Sequence, residues 1–313
     1  MPLRHILSAS DFTREEFLQV LDLAKEMKTN PKKFTSTLEG KTLLMLFEKP
    51  SLRTRVSFET GMTRLGGHAI YYDIKGSPLG VKETYADTAN VLSRMVEYVM
   101  ARVNRKEDLR ELAKYSTIPV INALDDYAHP MQMLADFLTV REHKGQLEGL
   151  KFSYVGDIAN NVTYDILRAS IILGVECSVA GPTGEKFEVE ESVIQELDAL
   201  VRKYGGKYTI THDPKEAVKG ADVVYTDSWM SYHISKEEEQ ERLEHFKSYR
   251  VTQELMSHAK SDALFLHCLP ASRGVEVDAE VIDGPQSVIF DEAENRMWTE
   301  MACVAWLQQQ LEQ

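Results

Sequence analysis

The segment FEKPSLRTRVSFETG carries Ser51, Leu52, Arg53, Thr54 and Arg55 just where an apolar run gives way to a helical pattern. A helix start exposes backbone N–H groups that lack intrahelical acceptors, and it is the positive end of the helix dipole. Hydroxyls and guanidiniums added there make a receptor for a phosphate group. The same residues, seen alone, also describe a capped helix with surface arginines. Arg102 closes the apolar run VEYVMARV, and His129 and Gln132 stand in ALDDYAHPMQMLAD, with Pro130 at the favoured first helical position. A histidine beside a helix start is by itself more often structural. Three such segments meeting at one place would form a pocket rich in donors and poor in acceptors, suited to a phosphorylated carbonyl compound.

The second half offers complementary groups: Asp157, Asn160 and Asn161 in VGDIANN, Asp227 and Ser231 in TDSWMS, and His267, Cys268, Leu269 and Pro270 in HCLP. An acid that holds an ammonium and amides that hold a carboxylate would together grip an amino acid. VGDIANN alone reads nearly as well as a turn that caps the next helix. It lacks the glycines of GxGxxG, so a dinucleotide site has little support. Cys268 follows a histidine, but no base and orienting carboxylate are placed around it as a thiol hydrolase needs, so a covalent intermediate is not expected.

These residues converge only if the segments before them are parallel strands with their carboxyl ends at one level, the place where open α/β sheets bind ligands. Short β-rich runs do alternate with helical periods along the chain. The first helix shows the pattern: Thr13 and Glu16 make a capping box, and Phe17, Val20, Leu21 and Ala24 share a face. Strands are expected at Thr42–Phe47, His68–Tyr72, Val96–Val103, Pro119–Ala123, Lys151–Val155, Glu176–Ala180, Tyr208–Thr211, Ala221–Thr226 and Ala263–His267. Helices are expected near 52–65, 83–94, 106–115, 130–143, 161–173, 188–204 and 235–246. The fold class is therefore α/β, with two doubly wound domains of parallel sheets flanked by helices and the active site in the cleft between them. The segment HKGQLEG at 144–150 follows an amphipathic helix and precedes a fresh strand, which divides the chain into 1–144 and 145–292. A C-terminal helix within 293–313 is expected to pack back on the first domain.

Composition bounds the rest. The 313 residues suffice for two domains at roughly 150 each. Apolar content of 43% and charged content of 27% exclude a disordered chain. With 36 Lys and Arg against 49 Asp and Glu, the net charge of −13 argues against a nucleic-acid binder. No segment approaches the roughly 18 apolar residues of a membrane span, and the opening MPLRHILSASDFTREE turns charged too early for a signal peptide. Cys177, Cys268 and Cys303 show no CxxC spacing, so neither a disulfide framework nor a zinc site is indicated, and a cytoplasmic protein with reduced thiols is expected.

SLRTR, HPMQ, DIANN, DSWMS and HCLP, in that order and spacing, resemble the aspartate/ornithine carbamoyltransferase family, and within it the ornithine branch. The resemblance runs from the first helix to EAENRMWTEMACVAWL. It implies transfer of the carbamoyl group of carbamoyl phosphate to the side-chain amine of L-ornithine, giving L-citrulline and phosphate with no metal or organic cofactor. Such a reaction serves arginine biosynthesis or the arginine deiminase pathway. It also implies that 1–144 binds carbamoyl phosphate and 145–292 binds ornithine. Ser51, Leu52 (through its backbone), Arg53 and Thr54 resemble the phosphate cradle. Arg102, His129 and Gln132 resemble the groups that hold and polarise the carbamoyl end, and Arg296 reaches the same substrate from near the C-terminal helix. Asn161, Asp227, Ser231 and the backbone of Tyr232 resemble the ornithine site. Cys268 and Leu269 resemble the pair beside the attacking amine, so that Arg102, His129, Cys268 and Arg296 carry the catalytic roles. A homotrimer or an assembly of trimers is implied, each site completed by a neighbour's loop, here Ser77–Glu83.

Two positions depart from the family pattern: Ser231-Tyr232-His233 stands where Ser-Met-Gly is usual, and Ser272 replaces a frequent histidine after HCLPA. Asp227 and Ser231 favour an α-amino acid over putrescine, which has no carboxylate. Other readings are a carbamoyltransferase for another amine, a non-catalytic relative, and a nucleotide-dependent oxidoreductase, the last on fold analogy alone.

Overall fold

The structure, a computed structural model, describes residues 3–77, 79, 82–230 and 236–312. It separates into two compact units, Met1–Leu138 with Glu294–Gln313, and Thr139–Ala293. The first contains α1 (Arg14–Thr29), β1 (Thr42–Phe47), α2 (Leu52–Arg64), β2 (His68–Asp73), α3 (Tyr85–Leu92), β3 (Tyr98–Arg102), α4 (Lys106–Tyr115) and β4 (Val120–Leu124). Helix α5 (Pro130–Lys144) carries the chain into the second unit, which contains β5 (Lys151–Val155), α6 (Asn161–Leu173), β6 (Glu176–Ala180), α7 (Glu191–Tyr204), β7 (Tyr208–Thr211), α8 (Pro214–Val218), β8 (Val223–Tyr225), α9 (Lys236–Phe246), α10 (Gln253–Met256), β9 (Leu264–Leu266) and α11 (Ala279–Ile282). Helix α12 (Ile289–Leu311) returns it to the first.

The first sheet has the order β2-β1-β3-β4 and the second β7-β6-β5-β8-β9, with every pairing parallel. In the first unit Leu44, Leu46, Val99, Ala101 and Val120 of the strands pack with Tyr85 and Ala89 of α3 and Leu109 and Leu112 of α4. Phe17 of α1 meets Phe137 of α5 edge-on at 6.1 Å between ring centroids, and Phe12 lies 5.7 Å from Trp306 of α12. Burying so many large side chains is the main stabilising term for a unit of this size. In the second unit every residue of α6 from Val162 to Leu173 is buried, including Arg168, which is paired with Asp165 at 2.9 Å and with Glu196 of α7 at 2.9 Å. A charge this deep is tolerated only with partners on hand.

The strand ends differ from expectation where the apolar run outlasts the ladder. Val96 donates its N–H to Leu92, closing the end of α3, so β3 begins at Tyr98. Similarly Phe187 closes a tight turn on Gly184, and α7 begins at Glu191 rather than 188. The short helices α8, α10 and α11 have too few residues to show a helical period, and the sequence reading omits them. Among the described residues no helix is long and apolar enough to cross a membrane.

Gly66 joins α2 to β2 at φ +81°, and a β-carbon there would lie 2.4 Å from the carbonyl oxygen of Thr35. Gly66→Ala is expected to destabilise the protein by about 2–4 kcal/mol, read as a lower urea midpoint. A midpoint equal to that of the parent protein would contradict this close approach.

Candidate active site

Sheet order decides where ligands can bind. In the first sheet the chain leaves β1 for β2 on one side and then crosses to β3 on the other, so the connections part between β1 and β3. In the second they part between β5 and β8. Crevices open outside the carboxyl ends of the strands at such points. Register brings those ends level: Phe47 lies opposite Arg102, and Arg102 opposite Leu124. In the second sheet Tyr154 lies opposite Tyr225, and Tyr225 opposite Leu266. The residues that follow are Ser51, Arg102 and His129 in one unit, and Asp157, Asp227 and Cys268 in the other.

In the first unit Ser51 is the N-cap of α2, and its Oγ accepts the Thr54 N–H at 3.4 Å and donates to Thr54 Oγ1 at 3.1 Å. Arg296, on α12, donates from Nη2 to the same Thr54 Oγ1 at 3.3 Å and from Nη1 to Gln132 Oε1 at 2.7 Å. With its oxygen accepting twice, the Thr54 hydroxyl is left to act as a donor. Gln132 is fixed at its other end, where Nε2 donates to Asp136 Oδ1 at 2.7 Å. Arg102, His129, Gln132, Thr54 and Arg296 are all buried, Arg53 is half-buried, and the Leu52 side chain is exposed. Burial, followed by the positive charges of Arg296, Arg102 and Arg53, holds His129 well below the ordinary imidazole range. It is a neutral ring at physiological pH, able to donate a hydrogen bond without carrying charge.

In the second unit Asn160 is the N-cap of α6, accepting the Thr163 N–H at 2.9 Å and donating to the Asp157 carbonyl at 2.8 Å. Asn161 opens the helix, and its Oδ1 accepts the Val162 N–H at 2.9 Å. Asp227 Oδ1 accepts from Ser228 N–H at 2.7 Å and from Cys268 Sγ at 3.1 Å. Burial, with the charges of Asp227 and Asp157 behind it, raises Tyr154 well above the usual phenol range, so it remains a neutral hydroxyl. His267 Nδ1 accepts the Leu269 N–H at 2.9 Å while Nε2 faces Glu276 at 3.3 Å. These bonds hold Leu269 at φ +60°, a conformation a leucine rarely adopts, beside Cys268. Asp227, His267 and Cys268 also form the one close set of three potential metal ligands among the described residues, but both ring nitrogens of His267 already have partners.

Ser231, Tyr232 and His233 lie outside the described residues, as do Pro78, Gly80 and Val81 of the loop at 77–83. Several groups at the site escape a reading by sequence alone. Lys49 is half-buried, and burial followed by the charge of Arg102 lowers its pKa. Asp157 reads as an open acceptor, yet its carboxylate is paired with Arg242 of α9, which also donates from Nε to the Trp229 carbonyl at 3.0 Å. Glu300 accepts from Arg296 Nε at 3.0 Å and Nη2 at 2.6 Å. The signal for Glu300 was present, since positions 296 and 300 are four apart on one helix face. Nothing in the sequence brings 242 beside 157.

Residues 4–142 match the aspartate/ornithine carbamoyltransferase carbamoyl-P binding domain, and residues 148–307 match the Asp/Orn binding domain of the same family. The chain belongs to the aspartate/ornithine carbamoyltransferase family. The ornithine carbamoyltransferase of Carboxydothermus hydrogenoformans is 50% identical to it over 306 residues, 97% of each protein. Among solved structures, that of the Pyrococcus furiosus ornithine carbamoyltransferase shares 47% identity at a TM-score of 0.91 over 96% of each chain. The ornithine transcarbamoylase of Giardia lamblia shares 44% identity at a TM-score of 0.90 over 98% of each chain.

A depressed His129 pKa is directly measurable in this carbamoyltransferase. With 15N-labelled histidine, the His129 ring should stay neutral as pH falls from about 8 through 6.5, near which an unperturbed histidine titrates. The folded site refuses a proton that the unfolded chain accepts, so this residue's share of stability is present above about pH 6.5 and lost as pH falls below it. A His129 midpoint near the ordinary value would contradict the burial and the three neighbouring cations.

Proposed function

We infer that the chain is an ornithine carbamoyltransferase, transferring the carbamoyl group of carbamoyl phosphate to the side-chain amine of L-ornithine to give L-citrulline and phosphate. The observation that carries this reading is the linked set Ser51, Thr54, Arg296 and Gln132 beside a neutral His129. Amine attack on the carbonyl carbon builds negative charge on the carbonyl oxygen and then on the departing phosphate. Fixed donors aimed at that charge lower the barrier without reorganising. In this reading the Thr54 hydroxyl, Arg102 and His129 meet the carbonyl oxygen. Ser51, Arg53 and the first N–H groups of α2, with the backbone of Leu52, hold the phosphate. Arg296 and Gln132 complete the carbamoyl phosphate site.

The acceptor must attack as a free amine near Cys268 and Asp227, its ammonium proton passing to solvent before attack and the proton released on C–N bond formation leaving with the departing phosphate. Asp227, whose carboxylate is oriented by Ser228 and Cys268, takes the α-ammonium of ornithine. Asn161, Ser231 and the backbone of Tyr232 take the α-carboxylate, and Cys268 and the strained Leu269 lie beside the attacking amine. No metal or organic cofactor enters the transfer. An anabolic role in arginine biosynthesis fits the Pyrococcus furiosus relative, which is described as the anabolic enzyme and is 48% identical to this chain.

We also propose a homotrimer, or an assembly of trimers, in the cytoplasm. Three cysteines without disulfides support that compartment. On α2 and the adjoining edge strand β2, Leu52 is 77% exposed, Val56 52%, Tyr72 42% and Ile70 40%, a run of apolar surface that a second copy would cover.

The protein is to be incubated with carbamoyl phosphate and, in separate reactions, ornithine, putrescine, lysine, acetylornithine and aspartate, with formation of the ureido product scored. Ornithine should be preferred by at least about 100-fold in kcat/KM, because a missing α-carboxylate or a blocked α-amine leaves polar groups of the ornithine site unmatched. Equal use of putrescine would contradict the roles given to Asn161 and Ser231, and no product with any amine would contradict the reading itself.

A further inference from the structure

Arg296 is buried, with only 4% of its side chain exposed, so its orientation depends on the acceptors around it. Glu300 lies one turn further along α12, wholly buried, and its Oε1 accepts from both Nε and Nη2 of Arg296 at 3.0 and 2.6 Å. Thr54 takes another Nη2 contact and Gln132 takes one from Nη1. These contacts occupy four of the five guanidinium N–H bonds, and the fifth, on Nη1, remains for a substrate oxygen. Glu300 thus grips the Nε–Nη2 edge of the fork and leaves the second N–H of Nη1 uncommitted.

We propose that Glu300 is a positioning residue for carbamoyl phosphate binding, holding Arg296 so that Nη1 and the Thr54 hydroxyl present their hydrogens to the substrate. The proposal rests on the carbamoyltransferase reading above and deepens it. Glu300 itself is wholly buried and offers no surface to a ligand. Burial pushes Glu300 up to about 7 against the pull of Arg296, with Ser57 of α2 also facing it and Arg102 acting from a distance. A neutral acceptor at this position is therefore close to one of the residue's own states, and Glu300→Gln retains the Oε1 that both Arg296 nitrogens use. Glu300→Asp is one methylene too short to reach them, and Glu300→Leu removes the acceptor altogether.

The test is calorimetric titration with carbamoyl phosphate of the wild-type protein and the Gln, Asp and Leu variants, alongside thermal unfolding and citrulline assays at saturating carbamoyl phosphate. Glu300→Gln should stay within about threefold of wild-type affinity, whereas Glu300→Asp and Glu300→Leu should weaken it about tenfold or more, with KM for ornithine moving less than about twofold. If Glu300→Leu does not fold, the Asp and Gln pair decides. Wild-type affinity in a folded Asp or Leu variant overturns the proposal. So does a Gln variant as weak as these, or a loss of melting temperature with no selective loss of carbamoyl phosphate binding. A wild-type protein that binds carbamoyl phosphate but makes no citrulline would sink the activity reading, and the variant series would still decide the role of Glu300.

Discussion

A guanidinium taken out of water must find an acceptor for nearly every N–H bond, and Arg296 finds them on three helices. Thr54 is on α2, Gln132 on α5 and Glu300 on α12 itself. Residues more than 160 positions apart in the chain are therefore held in one arrangement by one buried side chain. Breaking such a network by removing one partner strands a charge in low dielectric, which is far costlier than losing a surface ion pair. The same network that closes the first unit around its C-terminal helix gives the Thr54 hydroxyl its direction and surrounds His129 with positive charge.

Parallel register supplies the other constraint. With Phe47, Arg102 and Leu124 level across three strands, the residues just beyond them arrive at one edge of the sheet without any loop having to reach. The second sheet repeats the device with acceptors in place of cations: Asp227 and Cys268 follow paired strands and bond each other. The first half thus gathers cations and hydrogen-bond donors, the second a carboxylate and a thiol. A neutral imidazole among arginines can donate a hydrogen bond without adding a further positive charge.

Much of this was legible in the amino-acid order. Strands at Thr42–Phe47, Lys151–Val155, Glu176–Ala180 and Tyr208–Thr211 stand where β-rich runs placed them, because there the apolar run and the ladder coincide. Ser51 as a helix cap and Arg102 as a strand end followed from local pattern. The pairing of Asp157 with Arg242 did not, since contacts across 85 positions leave no periodic trace. Glu300 was hidden differently. Its spacing of four from Arg296 was visible, but the burial of both side chains, which makes the pair matter, was not.

The central claim is that this buried network, presented at the end of the first sheet, is where carbamoyl phosphate binds. A crystal structure of the protein soaked with carbamoyl phosphate tests it most directly. The account predicts phosphate oxygens at the first turn of α2 and the Ser51 hydroxyl, and a carbonyl oxygen at hydrogen-bond distance, about 3 Å, from Thr54 Oγ1 and His129. A ligand seated elsewhere, with Thr54, His129 and Arg296 making no contact to it, would contradict it.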